Sequence, residues 1–274
     1  CIDGPDLDAR DTIYTGKQLR RFKTDHYRAD RATLIVTGNF DPTQVQARAQ
    51  QVFAAARGVE SWNLASAPAQ PQSHERGLLG RAREPQIVAA PGDPRVAVTL
   101  AYSISDTLRA APAALATVEA LAEQAAQRVG FHAGRRRVCG HELLLITGTA
   151  APADAEPALR TLQRELELLR GGAELAGPLA RARRLAVRTL LTGADQPQAV
   201  AARLVEAHHD GTSLDLRSLA AQVARISAAD LRGHLADVLD PARSELVCRG
   251  PATAAHAACN AVARTSAADP FAPR

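Results

Sequence analysis

The residues His141-Glu142 open the stretch GHELLLITG, Gly140 to Gly148. They are the first half of His-Glu-x-x-His, the spacing that sets two imidazoles on one helical face around a metal. The second histidine belongs at position 145, where Leu145 stands. The residues that follow read against a metal helix. Leu143 to Ile146 are four successive apolar residues, followed by Thr and Gly. A metal-bearing helix turns one face inward, whereas this run reads as a buried strand ending in a turn. His208-His209 are adjacent and cannot both face one metal from a helix, so a partly exposed helix end suits them better. His26 reads as a surface residue at a helix end. Cys1, Cys139, Cys248 and Cys259 lack Cys-x-x-Cys spacing, which excludes a zinc knuckle. Cys248 and Cys259 can pair if the chain is exported, or stand as buried free thiols. The run Arg135-Arg136-Arg137 could meet phosphate, and reads more simply as a solvated loop.

The elements around these residues alternate between helix and strand. Leu19, Phe22 and Tyr27 share a helical face over 16–29, and TLIVTG (33–38) is a short buried strand. Asp41 is an N-cap with Pro42 at the first helical position, and Gln44 can close a capping box, for a helix that stops near Gly58. Residues 59–94 are rich in Pro, Ala, Ser and Gln without periodicity, as in a linker or surface excursion. Val96, Val98, Leu100, Tyr102 and Ile104 alternate on one face of a strand. A helix over about 112–128 follows, then the strand 142–149. Leu159, Leu162, Leu166 and Leu169 form an amphipathic stripe. Further helices are expected over about 174–191, with Arg181, Arg183, Arg184 and Arg188 outward, and over 197–208 and 215–225. Ser227 caps the next, with Asp230 at its third position and Ile226 stapled to Leu231. SELVCRG (244–250) is the last strand, and 252–274 reads as a frayed tail.

The bulk composition bounds the function class. A chain of 274 residues, 46% hydrophobic, suits one large domain or two small ones. No apolar run approaches the ~18 residues of a membrane span. No signal-peptide pattern opens the chain, which starts at Cys1 and contains no methionine, so it reads as a processed chain or a fragment. The net charge is +4, carried almost wholly by Arg: Lys17 and Lys23 are the only lysines. With the heavy Ala content this looks like GC-rich, bacterial codon usage rather than selection for nucleic acid. Aromatics make up only 3%, too few for single-strand stacking platforms.

An internal repeat organises the chain. LRRFKTDHYRADRATLIVTG (19–38) and LRGHLADVLDPARSELVCRG (231–250) both run helix, bend, strand, Gly with no gap. Leu19/Leu231, Arg20/Arg232, Asp25/Asp237, Arg31/Arg243, Leu34/Leu246 and Gly38/Gly250 coincide. The offset, roughly 210 residues, is far longer than a solenoid period, and points to a duplicated domain. Residues 1–57 are read as the end of a first homologous domain, 58–94 as a linker, 95–251 as a second domain without a metal motif, and 252–274 as a tail.

These segments resemble the insulinase, pitrilysin and mitochondrial processing peptidase family of zinc peptidases. LRRFKTDHYRADRATLIVTGNFDPTQV is similar to the family's helix-to-strand segment ending in Gly and Asp-Pro. ISAADLRGHLADVLDPARSELVCRGP is similar to the end of its second homologous half. LRTLQRELELLRGG, LARARRLAVRTLLTGADQPQAVAARLVE and their order follow the helices between. The likeness covers about 14–251. It implies an α+β fold: a two-layer sandwich with a mixed, mainly antiparallel sheet and helices on one face. The family's metal site, His-x-x-Glu-His with a distal Glu, has no counterpart here. The resemblance therefore implies no cofactor in this chain, with zinc in a partner half. In active members an Arg and a Tyr of an Arg-x-x-x-Gly-x-x-Tyr segment reach the substrate. QRVGFHAGRRRVCGHELLLI corresponds in shortened form, with Arg128 and Gly130 placed on it loosely and no Tyr, Phe131 or His132 standing nearby. Arg128, Phe131 and His132 are the implied substrate-binding residues.

The function so implied is a non-catalytic C-terminal half or subunit of a zinc peptidase, inactive alone, enclosing peptide for a zinc-bearing homologous partner. The alternative is a catalytically dead assembly subunit, as in the family's degenerate members of respiratory complex III. Neither nucleic acid nor a membrane span is expected, and a periplasmic or cell-envelope location is favoured over the cytoplasm.

Overall fold

The computed structural model describes residues 15–27, 32–53, 85–138, 141–172, 175–192, 194–209 and 215–267. They fall into two compact units. One comprises Cys1–Ser73 with Thr192–Leu214; the other comprises His74–Leu191 with Asp215–Arg274.

The smaller unit holds α1 (Gly16–His26) and α2 (Pro42–Phe53), with a third helix, Pro197–His209, from later in the chain. Thr15 closes a capping box with Gln18 at the start of α1, satisfying two N–H groups that the first turn cannot pair. Asp41 caps α2 by accepting from Thr43 N–H at 2.8 Å. No side chain of α1 is buried, and Leu19, Phe22 and Tyr27 are exposed. The strand expected over 33–38 is not formed among the described residues: 32–37 run outside any ladder, with Leu34 and Val36 exposed. The segment is tied instead by side chains. Thr33 Oγ1 lies 3.1 Å from His208 Nε2, and the Thr37 hydroxyl donates to the Pro197 carbonyl at 2.7 Å. The β-branched residues that favour a strand have no neighbouring strand to pair with among the described residues. The helix expected over 197–208 thus belongs with this unit rather than with the domain of 95–251.

The larger unit is built on a five-stranded sheet of order β1-β5-β2-β4-β3. Its strands are β1 (Gln86–Ala89), β2 (Val96–Ser103), β3 (His132–Val138), β4 (His141–Ala150) and β5 (Ser244–Gly250). β1 pairs with β5 in parallel, and the β5–β2, β2–β4 and β4–β3 pairings are antiparallel. Two of these strands differ from the sequence expectation. β1 lies within the stretch expected to be linker, and the arginine run expected to be a loop is β3. The four-residue β1, QIVA, is too short to show the alternation by which strands are recognised. Arg135 stands opposite Leu144 in a hairpin, which no local pattern announces.

In register across the sheet, Val98 faces Cys248 and Gly148, Leu100 faces Ile146 and Leu246, and Tyr102 faces Leu144. Apart from half-buried Gly148 these positions are buried, and they form the helix side. The helices of this unit are α3 (Asp106–Arg109), α4 (Pro112–Gln127), α5 (Pro152–Gly171), α6 (Ala176–Leu191), α8 (Leu216–Arg225), α9 (Ala228–Val238) and α10 (Ala252–Ala267), with α7 denoting Pro197–His209 of the first unit. α4, α5 and α10 lie against the strands, while α6, α8 and α9 pack on these helices. The Leu159-Leu162-Leu166-Leu169 stripe of α5 is buried, as its spacing requires. Ser227 and Asp230 form the expected capping box of α9. Arg183, expected outward, is half-buried and donates its Nε–H to the Ile226 carbonyl at 2.9 Å, closing the end of α8. Residues 252–267 of the expected tail form α10, whose small residues carry no large-side-chain stripe to announce a helix.

The alternate positions line the opposite face. Ala97, Thr99 and Ala101 of β2 stand beside Thr149, Thr147 and Leu145 of β4 and Arg249, Val247 and Glu245 of β5. Helices cover one face of a mixed, mainly antiparallel sheet, which is the α+β sandwich expected.

Candidate functional site

The corner where α4 turns into β3 holds all three residues singled out by the sequence. Gly130 permits the turn with φ +74°, a conformation that side chains with a Cβ resist. The chain then folds back so that Phe131 N–H donates to the Ala126 carbonyl at 2.9 Å. Arg128, at the C-cap of α4, reaches α5 and donates to Glu165 Oε1 at 2.7 Å. His132 is largely exposed, with Nδ1 3.2 Å from Glu123 Oε1. The other oxygen of Glu123 accepts Ala133 N–H at 2.5 Å, pinning the start of β3 to α4. Phe131 is 1% exposed. Its ring occupies the space over Gly148: a Cβ built there would lie 2.0 Å from Phe131 Cδ1. The structure therefore holds Arg128 and His132 each on a helical glutamate and sends Phe131 into the core.

A second cluster centres on Arg135. Arg135 donates its Nε–H to Glu119 Oε2 of α4 at 2.8 Å and an Nη1–H to Glu142 Oε1 at 2.9 Å. Glu142, 7% exposed, also has Oε2 3.7 Å from Arg109 Nε of α3, and neither of those two buried atoms makes a hydrogen bond. Burial alone would lower the Arg135 pKa, but Glu119 and Glu142 outweigh it and raise it, so the guanidinium stays charged. Glu142, which looked like half of a metal motif, is a buried carboxylate neutralised by arginine. GRRRVCGHE shows three successive arginines and one glutamate, but only the β3–β4 pairing brings Glu142 within hydrogen-bond reach of Arg135. On β2, burial raises the Tyr102 pKa, with Glu167 adding to the rise and Arg170 opposing it.

The described residues do not fit a metal ion: among them no group of three His, Cys, Asp or Glu side chains is placed to hold one. Cys248 and Cys259, left open between bonded and free, form a disulfide.

The family model described as "Peptidase M16 inactive domain" matches residues 14–175, more than half of the chain. The chain belongs to the M16 (insulinase) peptidase family. It carries that family's inactive, non-catalytic domain, the grouping to which the sequence resemblance pointed. No curated protein sequence matches this M16 chain. Among solved structures it is similar to a protease from Helicobacter pylori (16% identity, TM-score 0.68), covering 87% of this chain and 60% of that one. It is also similar to a peptidase M16 inactive domain from Pseudomonas fluorescens (16%, 0.59; 88% and 58%). A third is the periplasmic protease PqqL from Escherichia coli (16%, 0.65; 96% and 32%). At such identities the likeness is one of fold. The M16 chain spans at most about three fifths of these three structures. No helix among its described residues is long and apolar enough to cross a membrane.

Proposed function

We propose that this chain is the non-catalytic half of an insulinase-type zinc peptidase and encloses an extended peptide together with a zinc-bearing homologous half or subunit. The observation that carries the reading is the two-sided character of the sheet. One face is filled by large side chains under helices, while the other carries a stripe of small residues, Ala97, Thr99, Ala101, Thr147 and Thr149, flanked by Leu145, Glu245, Val247 and Arg249. Small side chains let a second backbone approach, and Thr hydroxyls can both donate and accept to it. Arg128 and His132 would border this surface at the α4–β3 corner, with Phe131 supporting the corner from beneath. The metal and its chemistry belong to the partner. A periplasmic or envelope location is supported by the disulfide, which persists in oxidising compartments, and by the likeness to periplasmic PqqL.

The test is reconstitution. The purified chain is assayed for zinc by elemental analysis and for cleavage of labelled peptides, alone and mixed with the zinc-bearing half encoded by the same genome. The expected result is no stoichiometric zinc and no cleavage alone, with cleavage by the mixture exceeding that of the zinc half by itself. One equivalent of tightly held zinc with chelator-sensitive cleavage by the chain alone would overturn the proposal. A stable complex with an unchanged cleavage rate would favour the assembly-subunit reading instead.

A further inference from the structure

The disulfide Cys248–Cys259 joins β5 to α10, and both cysteines are fully buried. α10 lies on β5, β1 and α5. Its sequence, ATAAHAACNAVARTSA, contains no Leu, Ile, Met or aromatic residue. Over 252–260, its buried side chains are Ala255, Ala258 and Cys259. An alanine buries a single methyl group, whereas α5 buries four leucines in its stripe; apolar burial scales with area, so over 252–260 α10 buries far less than α5 does. A helix of 16 residues is itself marginal without packing. The covalent link therefore carries a large share of the attachment of this stretch. β1 is in the same position. It has four residues, its described ladder partner is β5, and Val88 is 46% exposed.

From this arrangement we infer that α10 is a redox-released strap, seated over the β1–β5 margin of the sheet while the disulfide is intact and leaving it when the bond is reduced. The step is exchange with a dithiol, which reaches the buried bond when α10 transiently opens. One thiolate attacks a cystine sulfur and forms a mixed disulfide, and the second thiol displaces the remaining cysteine. Two electrons and two protons pass to Cys248 and Cys259, and the reductant departs as a disulfide. The core that takes in Ala255, Ala258 and Cys259 is carried mainly by residues outside α10, among them Val98, Leu100, Leu121, Leu144, Ile146 and Leu159, so the rest of the unit stays folded. In an oxidising compartment the strap is closed; transfer to a reducing one opens the parallel margin.

Hydrogen exchange with mass spectrometry on the full chain tests this. Oxidised wild type is compared with the Cys248→Ala/Cys259→Ala variant and with wild type refolded in excess dithiol. Closing a loop of 11-residue separation implies about a hundredfold change in the opening equilibrium. Amides of 252–267 and 86–89 should exchange faster by about that factor in both reduced-like samples, with β2 and β4 unchanged. If the variant does not fold, the refolded wild type decides alone. Undiminished protection of α10 would overturn the inference. So would an equal loss of protection across β2 and β4, which would make the bond a staple of the whole unit rather than a strap.

Discussion

Gly148→Ala is a one-methyl change that the structure marks as costly. The φ of Gly148 is not positive, so the backbone itself accepts alanine, and a glycine-to-alanine change within a strand would ordinarily gain about 0.5–1 kcal/mol. The added Cβ would stand 2.0 Å from Phe131 Cδ1 and 2.4 Å from Cγ, well inside contact distance. Phe131 is enclosed at 1% exposure and has little room to retreat. Overpacking of this kind costs about 1–3 kcal/mol, and a value near the upper end is expected because the clash meets a rigid ring. The net loss should be about 2 kcal/mol, lowering the melting temperature by roughly 4–8 °C for a unit of this size. Urea denaturation of wild type, Gly148→Ala, Phe131→Ala and the double variant measures it. Phe131→Ala alone should cost about 3–5 kcal/mol through its cavity. The double variant should lose at least about 1 kcal/mol less than the sum, because the new methyl occupies space that the ring vacates. Strict additivity, or a Gly148→Ala protein as stable as wild type, would refute the packing argument and free Phe131 for a different role at the α4–β3 corner.

Arg135→Ala should cost about 3 kcal/mol by urea denaturation, because it removes the hydrogen-bonded partner of buried Glu142, whose Oε2 is poorly aligned with Arg109; pairing it with Glu142→Leu should recover much of that loss. The Asp230 carboxyl, which accepts from the Ser227 N–H and hydroxyl, is held below its ordinary pKa. Its stabilisation is therefore present above the unfolded value of about 3.9 and lost as pH falls through the folded value. The melting-temperature gap between wild type and Asp230→Asn should accordingly be open at pH 7 and close in acid. Phe22→Ala, on α1, which has no buried residue, should change the stability of the isolated chain by no more than about 0.5 kcal/mol in urea denaturation; a larger loss would refute the exposed position of its ring.

Sequence alone determined the elements whose signal is local. The alternation of β2 and the leucine stripe of α5 set period and buried face by themselves, since a half-buried strand and an amphipathic helix must each repeat at their own geometry. The Ser227–Asp230 capping box marked the start of α9 within one turn, because its hydrogen bonds span three residues. The order of these segments, read with the repeat, was enough to bring the insulinase family into view. What escaped was everything decided by a distant partner. β1 is a strand because β5 offers it a parallel edge some 160 residues later, a pairing that P, A, S and Q-rich neighbours conceal. TLIVTG has a stronger strand composition than β1, yet it forms no ladder among the described residues, because propensity creates no hydrogen-bonding partner. Arg135 became a buried ion-pair centre, and Glu142 its counter-charge, only when the hairpin placed them on one face beneath α4. The helix α10, with its alanines and single buried cysteine, is visible only through the disulfide and the sheet on which it rests. Local patterns fix faces; the pairing of strands and charges belongs to the tertiary fold, since each such contact joins groups that the chain keeps far apart until it closes.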